Sequence, residues 1–269
     1  MNKAGCLVLM ALLAIAAACR TDPSPAQKSG TEASSQASAN AAEPVLDRAA
    51  MLEIIRNGDP ADVLELLNQM VRNRAGWNLG EYEDFYRPLW HLFVRINTPQ
   101  AGTANLSAVS ALQNVFNLGD WRTLLDELAA LLQAKDTYLP VKQAAAVHIW
   151  RFAGRAKSDP DFELSREERT KMEAVTASLL DDADPELLAT ALTTAASLGL
   201  KSAVPKIKAA VEARTGETTD ARSVRFSAAE ALFDLGETRS ALEIMTALSV
   251  TPGDFGDEAA EFLAKNGKK

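Results

Sequence analysis

The chain has 269 residues, 47% hydrophobic and 24% charged, with 14 Gly and 11 Pro. This composition excludes a mainly disordered or collagen-like protein and leaves room for one or two folded domains. The formal charge of -8 opposes binding to nucleic acid or to anionic lipid surfaces in general.

Lys3 is the only charge in the first 19 positions, and Ala4–Ala18 is a continuous apolar run ending in Ala16-Ala17-Ala18-Cys19. A run of that length is short for a membrane span and has the anatomy of a secretory signal, so residues 1–18 are predicted to be a signal peptide. Cleavage after Ala18 leaves Cys19 first in the mature chain. The segment Ile15–Cys19 resembles a bacterial lipoprotein lipobox, with Ala16 where Leu is typical. The resemblance implies lipidation at Cys19, a membrane anchor and a place in the bacterial cell envelope. Arg20 lacks the acidic retention signal of Gram-negative sorting, which favours the outer membrane. With Cys6 removed, Cys19 is the sole cysteine, and no internal disulfide can form. Loss of Lys3 leaves 27 basic residues against 36 acidic ones, a formal -9.

Residues 19–44 join this cysteine to a linker of Ser, Ala, Thr, Pro, Gln and Asn with no large apolar side chain. Such a segment cannot build a core and reads as a flexible tether with an r.m.s. reach of roughly 25–30 Å.

From Val45 onward the periodicity is that of amphipathic helices, about a dozen of them, with no convincing alternating strand. Asp59-Pro60 and Asp184-Pro185 each put a capping carboxylate before a first-turn proline. Ser165 and Glu168 have the spacing of a capping box, and Gly119, Gly199 and Gly236 follow apolar helix ends. Residues 45–104 are taken as an N-terminal helical cap region. There Tyr82, Phe85, Tyr86, Leu89, Phe93 and Ile96 form one helical stripe. Trp90 lies off the centre of that stripe and, with Trp77 and Trp121, is a candidate exposed recognition aromatic.

Residues 105–269 carry an internal repeat. Segments aligned without gaps on Gly119, Gly154, Gly199, Gly236 and Gly267 all have alanine eight positions earlier: Ala111, Ala146, Ala191, Ala228 and Ala259. One helical turn later stand Val115, Trp150, Ala195, Leu232 and Leu263 on the same face. A small residue at a fixed place lets a neighbouring helix approach. Second helices show the stripes Leu124/Leu128/Leu131, Val204/Ile207/Val211 and Ala241/Ile244/Leu248. The glycine spacing suits two helices per unit.

The segments 184–199 with Ala203-Val204-Pro205, and 223–236, resemble HEAT-like helical repeats. The resemblance implies an all-α fold, an α-solenoid of antiparallel helix pairs. It further implies a scaffold that binds a protein or peptide partner through its second-helix side, without catalysis. Arg122, Lys206 and Arg239, with Trp77, Trp90 and Trp121, are the candidate partner-binding residues. The chain departs from the pattern in the Gly154 unit, where a ten-residue excursion precedes the second helix. Some HEAT-like proteins are lyases or glycosylases, so an enzyme or enzyme component is one alternative, and a structural subunit of an envelope complex is another.

No phosphate loop, nucleophile elbow or His-Glu-x-x-His motif occurs. His91 is flanked at i-4 and i+4 by Arg87 and Arg95, which would repel a metal ion. Asp181, Asp182, Asp184 and Glu186 crowd a helix junction, where carboxylates serve more readily as caps than as a calcium site. The expectation is therefore no catalytic residues, no metal, no cofactor and no nucleic-acid partner.

Overall fold

A computed structural model describes residues 47–72, 83–100, 112 and 122–267. The chain divides into two units, Met1–Val45 and Leu46–Lys269. The signal, Cys19 and the tether lie outside the described residues, as do Gly119, Ala111, Val115, Tyr82, Trp77 and Trp121.

Among the described residues the second unit is all-helical, without strands. Three helices come first: α1 (Arg48–Asn57), α2 (Pro60–Arg72) and α3 (Glu83–Ile96). A 3-10 turn at Arg122–Leu124 leads into α4 (Leu125–Gln133), followed by α5 (Leu139–Ser158), α6 (Arg166–Leu179) and α7 (Pro185–Leu198). A second such turn, Lys201–Ala203, leads into α8 (Val204–Glu212). Then come α9 (Thr219–Asp234), α10 (Thr238–Ser249) and α11 (Asp254–Asn266).

Packing follows the chain. α7 packs on both α5 and α9, α9 on α10, and α10 on α11. α4 packs on α5 and α6, α6 on α7, and α8 on α9. α1 packs against α2 and α3. One apolar cluster runs from Met51 in α1 to Ala241 in α10, and Ala229, Met245, Leu248 and Ala259 form a smaller one beside it.

The punctuation works as the residue types require. Asp59 accepts from the backbone N–H groups of Ala61 and Asp62, and Asp184 accepts from that of Leu187 at 2.9 Å. The Ser165 hydroxyl accepts from Glu168 N–H, while the Glu168 carboxylate accepts from Ser165 N–H at 2.7 Å, completing the capping box. At the end of α7, Leu200 N–H reaches Ala195 O and Gly199 N–H reaches Ala196 O. At the end of α9, Glu237 and Gly236 make the same two bonds to Leu232 and Phe233. Both are Schellman closures, and both put the glycine at positive φ, 67° and 91°, where a Cβ would be strained.

The alanine column is interior. Ala146, Ala191, Ala228 and Ala259 are between 0 and 1% exposed, each on a helix of the row α5, α7, α9 and α11. One turn later Ala195 and Leu232 are fully buried, while Trp150 and Leu263 are half-buried. The second-helix stripes also pack inward through Leu124, Leu128, Ile207, Ala241 and Leu248.

Gly154, unlike Gly199 and Gly236, lies inside its helix: α5 continues to Ser158, because nothing before Asp159-Pro160 interrupts the backbone ladder. One expectation needs correction. Trp90 is not exposed. It is 1% accessible, its ring stacked on Phe93 at 5.3 Å and meeting His148 edge-on at 5.7 Å. The buried arc of α3 is wider than the single stripe suggests. Trp90 follows Tyr86 by four residues and precedes Phe93 by three, so it shares their face.

Candidate partner-binding surface

Arg122 opens the turn before α4. Its Nε donates to Glu168 Oε1 at 2.6 Å and Nη2 to Oε2 at 3.2 Å, and Nη2 also donates to the Glu163 carbonyl. Its guanidinium lies 4.7 Å from the centroid of the Phe162 ring, and that of Arg155 lies 4.4 Å away. Phe162 is itself buried, so the excursion after α5 folds back as an anchored loop. Burial alone would raise the Glu168 carboxyl. The Ser165 N–H and hydroxyl together with Arg122 outweigh it and hold that carboxyl below its ordinary range.

Lys206, in the first turn of α8, donates to Asp181 at 2.6 Å and to the Ala177 carbonyl at 3.1 Å. Arg122 and Lys206 therefore hold opposite ends of α6. Lys171 pairs with Asp126, and Lys208 with Glu237 at 2.6 Å, tying α4 to α6 and α8 to the start of α10. Each such pair joins two helices at the surface, where solvent screening leaves its contribution to stability small.

Arg239 on α10 is different. Its side chain is 93% exposed and, among the described residues, pairs with Glu243, one turn on, at 3.0 Å. With Thr238, Leu242, Glu243 and Thr246 it lines a shallow depression of about 630 Å3. The structure thus disperses the sequence candidates: Arg239 faces solvent, Arg122 and Lys206 spend their charges between helices, and Trp90 is core.

The acidic junction is similarly spent. Asp182 pairs with Lys142 at 2.8 Å, and Asp184 accepts from Gln143 besides capping α7. Burial would raise the Asp182 carboxyl, but Lys142 and the N–H groups of Asp184 and Ala183 hold it below its usual range. Glu186 is pushed up by burial and by its neighbours Asp184 and Asp220. Among the described residues no cluster of three or more His, Cys, Asp or Glu side chains is placed to hold a metal ion.

His91 meets Glu127 at 2.9 Å on the surface. His148 is buried, and desolvation, aided by the nearby Arg151, lowers its pKa to about 3, so it is neutral in the fold. Sequence reasoning passed over a cleft between α1 and α3 lined by Arg48, Arg56, Arg87 and Arg95. The Arg87/His91/Arg95 stripe was legible, but α1's contribution required tertiary structure.

A scan against protein-family models found no match, and neither did a search of curated proteins.

Proposed function

We propose that this protein is a lipid-anchored scaffold of the bacterial cell envelope. Residues 105–269 would form a HEAT-like α-solenoid, preceded by the helical cap region 45–104, and would bind a polypeptide partner through its second-helix side, without catalysis. The observation that carries the reading is the alanine column. Ala146, Ala191, Ala228 and Ala259 recur at one offset and are buried on successive helices of one row, as stacked helix pairs require. The identical closures at Gly199 and Gly236 support the same register. The proposed anchor is Cys19, on the lipobox resemblance of Ile15–Cys19 at the end of the apolar run.

Detergent-phase partitioning of the chain from its host, with mass spectrometry of the mature N-terminus, tests the anchor. The expected species begins at an acylated Cys19, and Cys19→Ser should release the protein or leave its precursor uncleaved. Retention of residues 1–18, or an unmodified cysteine, would refute it.

A further inference from the structure

The cleft between α1 and α3 has a volume of about 1100 Å3. Its walls carry Arg48 and Arg56 from α1 and Arg87, His91 and Arg95 from α3, with Asp84 as the acidic lining residue. Residues 48 and 56 are two helical turns apart, as are 87 and 95, so each helix offers a pair of guanidinium groups along one face. In a chain of formal charge -8 this is a local reversal of sign.

The four arginines differ in how they are held. Arg48 pairs with Asp84, and Arg87 pairs with Glu127, which His91 also meets. Arg95 donates to the carbonyls of Arg56 at 3.0 Å and Ile55 at 3.5 Å, the last turn of α1, where a cation suits the helix dipole. Among the described residues the Arg56 guanidinium has no ion-pair or hydrogen-bond partner. Among the described residues Asp84 and Glu127 pair with Arg48 and Arg87, while neither Arg56 nor Arg95 is paired with a carboxylate. Arg95 is fixed in place by backbone carbonyls that do not cancel its full charge, and Arg56 stands uncommitted beside it.

We propose that this cleft is an oxyanion site that takes a phosphate group. Guanidinium forks match phosphate oxygens in bidentate geometry, and all four strong cations here are arginine. A carboxylate ligand would meet Asp84 and Glu127 as equals. A phosphate dianion has the charge to use Arg56 and Arg95 together and to compete for Arg48 and Arg87. The site does not depend on the scaffold reading. A soluble phosphate monoester and the monoester headgroup of phosphatidic acid share this chemistry.

The test is calorimetric titration of the full chain, carrying Cys19→Ser so that no acyl chain contributes, with inorganic phosphate at low ionic strength. Saturable binding is expected, weakened about tenfold or more by Arg56→Gln and by Arg95→Gln. Lys201→Gln, an exposed change elsewhere, should leave it unaltered. Among the described residues the Arg56 guanidinium has no partner, and its carbonyl bond to Arg95 is untouched by the change, so the variant keeps the fold. Co-sedimentation with phosphatidylcholine vesicles, with and without phosphatidic acid, separates the sources. Arg56-dependent retention on the anionic vesicles supports a headgroup, and phosphate binding without retention supports a soluble ester. Absence of saturable phosphate binding, equal losses in the Arg56 and Lys201 variants, or tighter binding of an oligoglutamate peptide would overturn the proposal.

Discussion

Replacing Ala191 by Leu probes the repeat register at its most constrained point. Ala191 is fully buried on α7, which packs against both α5 and α9. Leucine adds three carbon atoms there. Were space available, their burial would contribute about 2 kcal/mol of stabilisation at about 0.8 kcal/mol per carbon. Interiors packed to crystal-like density offer no such space, so the added atoms displace a neighbouring helix or force unfavourable rotamers. The net cost is about 1–3 kcal/mol. For a folded unit of this size that lowers Tm by about 2–12 °C. Thermal and urea unfolding followed by circular dichroism would read it, with Ala130→Leu on the exposed face of α4 expected within about 0.5 kcal/mol of the parent. A cost below about 0.3 kcal/mol at Ala191, or a gain, would show that the alanine column is not a set of close helix contacts.

His148 is neutral when folded, with a pKa of about 3, and titrates near 6.5 when unfolded, so the unfolded chain binds the extra proton between those values. Stability should be intact above about pH 6.5 and fall as pH drops toward 3, by at most about 1.4 kcal/mol per pH unit from this group. Urea titrations of His148→Phe should lack that component. Arg122→Gln should cost about 1 kcal/mol or less at neutral pH, given its partly exposed pair with Glu168. Because Glu168 is held below its ordinary range, the difference between parent and variant should be fully present above the unfolded carboxylate value. The part that depends on the Glu168 charge should be lost as pH falls through the folded value, leaving the contacts of Arg122 with the Glu163 carbonyl and the Phe162 ring, as urea midpoints across acidic pH would show. Ser165→Ala removes the reciprocal cap of α6 and should cost about 1 kcal/mol in the same assay.

Local rules were legible in the sequence wherever one residue acts on its own backbone. Asp59, Asp184, Ser165, Gly199 and Gly236 cap and close helices as their side chains require, and the alanine column marks where helices touch. What was not legible depends on neighbours distant in the chain. Periodicity places Trp90 relative to its own helix axis, but only the packing of α3 in the core decides how wide the buried arc is. Lys206 and Arg122 have the composition of exposed binding residues. Asp181 and Glu168, reached across 25 and 46 residues, turn them into struts. The cleft between α1 and α3 was half visible, since Arg87 and Arg95 share a stripe, while Arg48 and Arg56 joined them only through tertiary packing.

In the proposed scaffold the second-helix side receives a polypeptide partner. Photo-crosslinking in intact cells tests it most directly, with a crosslinking residue placed in turn at Arg239, Glu243 and Thr246 on α10, and at Lys157 and Ala264 on the first-helix row. One discrete protein adduct is expected from the α10 positions and none from the first-helix positions. Equal labelling from both rows, or no protein adduct from α10, would contradict it.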